Sequence, residues 1–234
     1  MDVISRLIVL VRKEMIDHKT NMSIWILSMM PILVAQMYRM MDISVHKIDS
    51  LLSIHMSMTG AILTTAIMGI LITDEKDQNT LRTLMLSGVK SYEILLGKGL
   101  MTLLITTGVS LAGFMILQAP YNLLLPFLLV SWLLGIIMIL IGSIIGLYAK
   151  NQTQVGIIGT PITMFFYMVP TLDIVGINIG FVEKFVPTYH TTALITQYYT
   201  ANEDVFMHYM MLVVWLVLLS VLLVVFYSRR KLTD

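Results

Sequence analysis

The sequence predicts an all-α membrane protein with six transmembrane helices, and two observations support this fold class. Apolar residues make up 57% of the chain and charged residues only 12%, against about 25% charged in soluble domains. A spanning helix needs about 20 mostly apolar residues, within a range of roughly 17–25. Six stretches without Asp, Glu, Lys or Arg meet that length, namely 21–38, 51–73, 99–117, 123–148, 153–172 and 205–227. They leave no room for a soluble domain.

The distribution of Lys and Arg predicts how the spans are oriented. Alternation of six spans places twelve of the 15 basic residues on one side and three on the other, the three being Arg39, Lys47 and Lys184. Because cytoplasmic loops carry the excess of Lys and Arg, we expect both termini and the segment 73–98 to be cytoplasmic.

Residues 1–20 form a separate first unit, ahead of the six-span domain at 21–234. Apolar residues recur with helical spacing and are set against charged ones, among them Arg6, Arg12, Lys13 and Glu14. This pattern is typical of a helix that lies in the cytoplasmic membrane interface with basic side chains toward anionic headgroups. The alternative is a plain cytoplasmic extension of the first span.

The interval 73–98 is the longest polar one between apolar segments. Thr73 or Asp74 is expected to cap a short helix with an acidic first turn. Leu81, Leu84 and Met85 would form an apolar stripe on it, and a second helix would begin near Ser91. A solvated loop is the simpler reading, but the length and the stripe favour a helix that docks onto a cytoplasmic partner.

The later spans carry glycine and proline signals. Gly142 and Gly146 form a G-x-x-x-G pair, which allows close helix approach or arises by chance. Gly156, Gly159, Pro161 and Pro170 predict an interrupted fifth span, although packing explains the glycines equally well. The outer segment 173–204 is apolar and aromatic, which predicts two short helices that dip back into the outer leaflet.

Several kinds of chemistry are absent from the sequence. It has no cysteine, and its histidines lack the H-E-x-x-H spacing of a zinc protease. Gly97-Lys98 lacks the other residues of a P-loop, and the spans contain no charge that would mark an ion pathway. We therefore expect no catalytic residue, no metal and no cofactor bound by this chain. An enzyme built on Ser143 or His208 would need a motif that is missing.

The layout resembles the membrane subunit of type-2 ATP-binding-cassette exporters. The most specific stretch is Glu-Lys-Asp-Gln-Asn-Thr-Leu-Arg-Thr-Leu at 75–84, followed by Glu-Ile-Leu-Leu-Gly-Lys at 93–98. It is similar to the family pattern of Glu-Lys-Glu, two residues and Thr-Leu-x-x-Leu, with Asp77 in place of glutamate and Asn79 where glycine is common. Lys13-Glu14 matches the Lys-Glu of the family's N-terminal elbow helix.

The resemblance implies roles for three groups of residues. An ATPase-coupling segment at 74–92 would use Asp74, Glu75, Lys76, Asp77, Thr80, Leu81, Leu84 and Met85. The interfacial elbow would use Arg6, Arg12, Lys13 and Glu14, and an outer re-entrant gate would use Pro170, Phe181, Phe185, Pro187 and Tyr189.

The resemblance also implies partners and a cargo. Two membrane subunits, identical or related, would assemble with separate cytoplasmic ATPase subunits that bind ATP and magnesium, in a bacterial plasma membrane. The cargo would be amphipathic or hydrophobic, such as a peptide toxin, an antimicrobial peptide, a lipid or a drug. The alternative is a membrane scaffold or receptor that recruits a cytoplasmic partner without transport.

Overall fold

The computed structural model describes residues 3–41, 48–77, 90–177, 180–200 and 205–229. Within these ranges every regular element is helical. The helices are α1 (Val3–Thr20), α2 (Met22–Met40), α3 (Ile48–Asp77), α4 (Ser91–Ile116), α5 (Leu124–Tyr148), α6 (Gln152–Ile174), α7 (Pro187–Thr200) and α8 (Phe206–Arg229). Short 3₁₀ turns cover Tyr121–Leu123 and Gly180–Phe185.

Five of these helices, α3, α4, α5, α6 and α8, are long and apolar enough to cross a membrane. A sixth span results only if α1 and α2 are counted together, and they are bent by 84° at the break around residue 21. The all-helical class and five to six membrane-length helices therefore agree with the sequence, and they indicate a multi-pass membrane protein.

Helix α3 is the centre of the bundle. It packs against α4, α5, α6 and α7 and is buried along most of its length, whereas α8 lies at the edge and is mostly exposed. The middle of α3, Met58–Thr64, has π-type hydrogen bonding. The Thr64 hydroxyl donates to the Thr59 carbonyl at 2.9 Å, which satisfies one backbone acceptor within this stretch.

The glycine pair at 142 and 146 lies where α5 crosses α3. A Cβ added at Gly142 would lie 2.6 Å from the Thr65 carbonyl oxygen, and one at Gly146 would lie 3.2 Å from the Gly69 Cα. The contact at Gly142, and a further one of 2.9 Å from Gly146 to the Ile72 Cβ, are shorter than real Cβ contacts, so a side chain at either position would push α3 away. The pair therefore serves the close helix approach that the sequence offered as one reading.

One sequence expectation is wrong. Helix α6 is continuous from Gln152 to Ile174 and contains both Pro161 and Pro170, so the fifth span is not interrupted.

His55 of α3 is buried against α4. Its Nε2 lies 3.3 Å from the Val109 carbonyl oxygen and occupies the space above Gly113. The absence of a side chain at Gly113 makes room for the imidazole.

Candidate functional site

The charged residues that follow the second span belong to α3. Helix α3 continues through Asp77, so Asp74, Glu75, Lys76 and Asp77 form its last turn. They do not open a separate helix capped by Thr73 or Asp74, as the sequence suggested. The Thr73 hydroxyl donates to carbonyls one turn earlier at 3.1 Å, which is the behaviour of a residue inside a helix.

A buried ion cluster of Lys13, Glu14, Glu75 and Lys98 joins α1, α3 and α4. Lys98 Nζ lies 2.9 Å from Glu14 Oε1 and 3.0 Å from Glu75 Oε1. Lys13 Nζ lies 2.7 Å from Glu75 Oε1 and 3.6 Å from Glu14 Oε1. The Lys98 side chain is only 2% exposed, although it is a lysine at the end of a membrane-length helix.

The composition of the ion cluster explains why these charges can be buried. Two ammonium groups face two carboxylates, so the four side chains together carry no net charge at neutral pH. The exposed Asp17 carboxylate lies 3.3 Å from Lys13 Nζ at the solvent edge of the cluster. A buried charge is stable only when it is paired and hydrogen-bonded. Each member therefore depends on the others, and removing one leaves an uncompensated charge.

Asp74 connects the end of α3 to two further helices. Its Oδ2 accepts a hydrogen bond from Asn21 Nδ2, at the start of α2, at 2.8 Å. Its Oδ1 accepts a second hydrogen bond from Gln152 Nε2, at the start of α6. The carboxylate thus bridges the residues at the start of α2 and α6.

Lys76 connects the same turn to the end of α5. Its Nζ donates to three backbone carbonyl oxygens, those of Gly146 at 2.8 Å, Leu147 at 2.8 Å and Ala149 at 3.1 Å. The last carbonyls of a helix have no partner within it and carry the negative end of its dipole, so an ammonium group is favoured there. Three consecutive side chains, Asp74 to Lys76, therefore contact five other helices.

The start of α4 completes this end of the bundle. Helix α4 begins at Ser91, as the sequence predicted, and the Lys90 backbone N–H donates to Glu93 Oε2 at 2.9 Å. The remaining residues of the predicted coupling segment, Thr80, Leu81, Leu84 and Met85, lie outside the described residues.

The predicted elbow residues do not share one environment. Lys13 and Glu14, assigned from sequence to the membrane interface, instead turn toward the bundle and form the ion cluster. Arg12 is exposed, and the Arg6 side chain lies outside the described residues. No local sequence signal identifies the inward pair, because its partners are 62 to 84 residues away.

The predicted gate residues lie together at the opposite end of the bundle. Pro170 and Pro187 are buried, Tyr189 is partly buried, and Phe181 and Phe185 are exposed. The two phenylalanine rings meet edge to face with centroids 6.4 Å apart. The outer segment contains the 3₁₀ turn and α7, and the dip of these elements into the outer leaflet stays a prediction.

A histidine pair in this region was not identified from the sequence. His190 of α7 and His208 of α8 approach with their Nδ1 atoms 2.9 Å apart, and His190 Nε2 lies 2.8 Å from the Lys184 carbonyl oxygen. Because a carbonyl only accepts, His190 Nε2 carries a proton, and a neutral His190 accepts at Nδ1 from His208. Burial, with a smaller effect from His208, lowers the pKa of His190.

No family model matches the chain, and no curated protein matches it significantly. Among the described residues, no group of three His, Asp or Glu side chains is placed to hold a metal ion. What the chain does must therefore be inferred from its own residues and contacts.

Proposed function

We propose that the chain is the membrane subunit of an ATP-driven exporter in a bacterial plasma membrane, with both termini in the cytoplasm. Two such subunits, identical or related, would form the pathway. ATP and magnesium would bind to separate ATP-binding-cassette subunits on the cytoplasmic side, because the sequence has no P-loop. The cargo would be amphipathic or hydrophobic, since the spans are rich in Met and Leu and poor in charge.

One observation carries the proposal: the first residues of the coupling segment are fixed to the rest of the bundle. Asp74, Glu75 and Lys76 make polar contacts with five other helices. A partner that moved the segment after Asp77 would therefore displace several helices together. A loose surface loop would not transmit such a displacement.

The decisive experiment tests whether the apolar stripe couples a separate ATPase subunit to the bundle. The full chain is purified from its native membranes with its companions and placed in nanodiscs, and ATP hydrolysis is measured. We expect Leu84→Asp to abolish the co-purifying ATPase activity while the chain remains inserted in the membrane. Thr83→Asp, in the same segment but off the stripe, is the matched control and should keep most of the activity.

Two results would contradict the proposal. Wild-type protein that purifies without any nucleotide-hydrolysing subunit would favour a scaffold or receptor that uses the same segment. A Leu84→Asp variant that retains full ATP hydrolysis and export would remove the coupling role of the stripe.

A second experiment tests the orientation. The chain has no cysteine, so single-cysteine variants can be labelled without background. Tyr121 is 85% exposed at one end of the bundle, and Lys90 is exposed at the other. A membrane-impermeant maleimide should label Tyr121→Cys in intact cells and Lys90→Cys only after permeabilisation. The reverse pattern would place the coupling segment outside the cell and contradict the proposed function.

A further inference from the structure

An apolar groove runs between α1 and α4. Its volume is about 520 Å³, which lies within the ~300–1,000 Å³ typical of ligand pockets. Six of its seven lining residues are apolar, and the seventh is Arg12. The apolar residues are Leu7, Ile8, Val11 and Met15 of α1 and Leu100 and Leu104 of α4.

Arg12 differs from the basic residue next to it. Lys13 is committed to the ion cluster through Glu75. Arg12 is exposed, and within the ranges that the structure describes it forms no ion pair or hydrogen bond. The groove thus has one available positive charge at its edge.

The groove begins close to the charged end of the bundle, where the boundary of the membrane is expected. Leu100 and Leu104 follow the buried Lys98 by two and six residues, or about 3 Å and 9 Å along the helix at 1.5 Å per residue. The groove therefore extends from the charged end of the bundle along the apolar part of α4. Val9 and Ile16 of α1, which do not line the groove, are 55% and 58% exposed, which suits contact with lipid.

We infer that this groove binds an anionic phospholipid of the membrane, with an acyl chain against Leu100 and Leu104 and its phosphate on Arg12. The occupant must be apolar along its length and negative at one end, and it must lie at the membrane boundary. A guanidinium binds phosphate oxygens through two parallel hydrogen bonds, which gives the headgroup a defined position. A second copy of the chain would have to bring a carboxylate to Arg12 from within an otherwise apolar surface.

The inference is tested by native mass spectrometry of the full chain in detergent, titrated with phosphatidylglycerol or phosphatidylcholine. Wild-type protein should retain phosphatidylglycerol preferentially. Arg12→Gln should weaken phosphatidylglycerol binding about fivefold, the factor that corresponds to the ~1 kcal/mol expected per basic residue near anionic lipid. It should weaken phosphatidylcholine binding less, because the choline cation offsets the charge of the phosphate that Arg12 contacts. Arg12→Lys, which keeps the charge, should retain part of the preference.

Two further variants separate the groove from the general surface. Leu104→Trp fills the groove and should reduce the binding of both lipids. Lys90→Gln removes an exposed cation at the same end of α4 and should behave as wild type. Unchanged phosphatidylglycerol preference in Arg12→Gln would overturn the inference. So would a Leu104→Trp variant that binds lipid normally but changes oligomeric state, because the groove would then hold a second copy. These readouts do not depend on an ATPase, so the inference and the proposed function can fail separately.

Discussion

Replacing Lys98 by methionine removes the buried cation that joins α1 to α3. The side chain has a similar length, so the change removes a charge without opening a large space. Glu14 then loses its 2.9 Å partner, and Glu75 loses one of the two ammonium groups that lie beside its Oε1. The ion cluster passes from zero net charge to one excess carboxylate in a buried site.

The size of the effect follows from two opposing quantities. At an effective dielectric constant of about 20, each ion pair of Lys98 near 3 Å contributes about 5–6 kcal/mol of attraction. The cost of desolvating each ion, several kcal/mol, cancels much of it. Removing one partner leaves the other desolvated, which costs about 3–5 kcal/mol. With roughly 2–4 °C per kcal/mol for a chain of this size, we expect the unfolding temperature to fall by about 6–20 °C.

The assay is thermal unfolding of the purified chain in one detergent, at one pH and one heating rate. The double variant Lys98→Met with Glu14→Gln restores neutrality and leaves Lys13 paired with Glu75, so it should recover about 1–3 kcal/mol relative to additivity. Lys90→Met, at an exposed position, should stay within about 0.5 kcal/mol of wild type. If Lys98→Met and Lys90→Met unfold at the same temperature, the ion cluster is solvated and the reasoning is wrong.

Three further predictions follow from the contacts described above. Gly142→Ala should destabilise the chain by about 1–3 kcal/mol, because the added Cβ would lie 2.6 Å from a backbone oxygen of α3. Gly156→Ala, which meets no atom within 4 Å, is the control, and equal unfolding temperatures would exclude the close crossing. Lys76→Met should speed hydrogen exchange in the last turn of α5, whose carbonyls lose their donor; unchanged exchange would show that water replaces the lysine. Because the pKa of His190 is lowered from 6.5 by burial, the unfolded chain takes up the proton first, and stability present above pH 6.5 should decline as the pH falls below it. His190→Gln should reduce that decline in thermal unfolding, and an identical pH dependence would refute the assignment.

The sequence predicted the membrane-length helices well because the bilayer imposes a simple requirement on them. About 20 residues without charge mark each span whatever its neighbours are. The structure has membrane-length helices at five of the six stretches, and the first stretch, 21–38, falls in α2. The α4–α5 connection has an equally local signal, because Pro120 and the polar residues around it separate two apolar runs. Signals of this kind are contained in one short window.

The contacts of the candidate site join residues that are far apart in the sequence, so no short stretch of sequence reveals them. Asp74 to Asp77 looked like an acidic helix start because that is the favoured local place for such residues. Contacts with Lys13, Lys98 and Gln152 instead hold these residues in the last turn of α3, and those partners are distant in sequence. Pro161 led to the wrong prediction of an interrupted helix. A proline lowers helix propensity locally, but packing within a bundle can keep the helix continuous.

The polar contacts at the end of α3 would pass a displacement caused by a partner ATPase on to α1. Helix α1 has an apolar contact with α4 through Leu10 at Gly97, where an added Cβ would lie 3.0 Å from the leucine Cβ. The ion cluster joins α1 to the bundle as well, through Lys13 and Glu14. A displacement of α3 would therefore reach α1 through charges whose separation is costly. If the proposed function holds, the buried ion cluster makes α1 move with α3, so that α1 follows the movement of the partner ATPase.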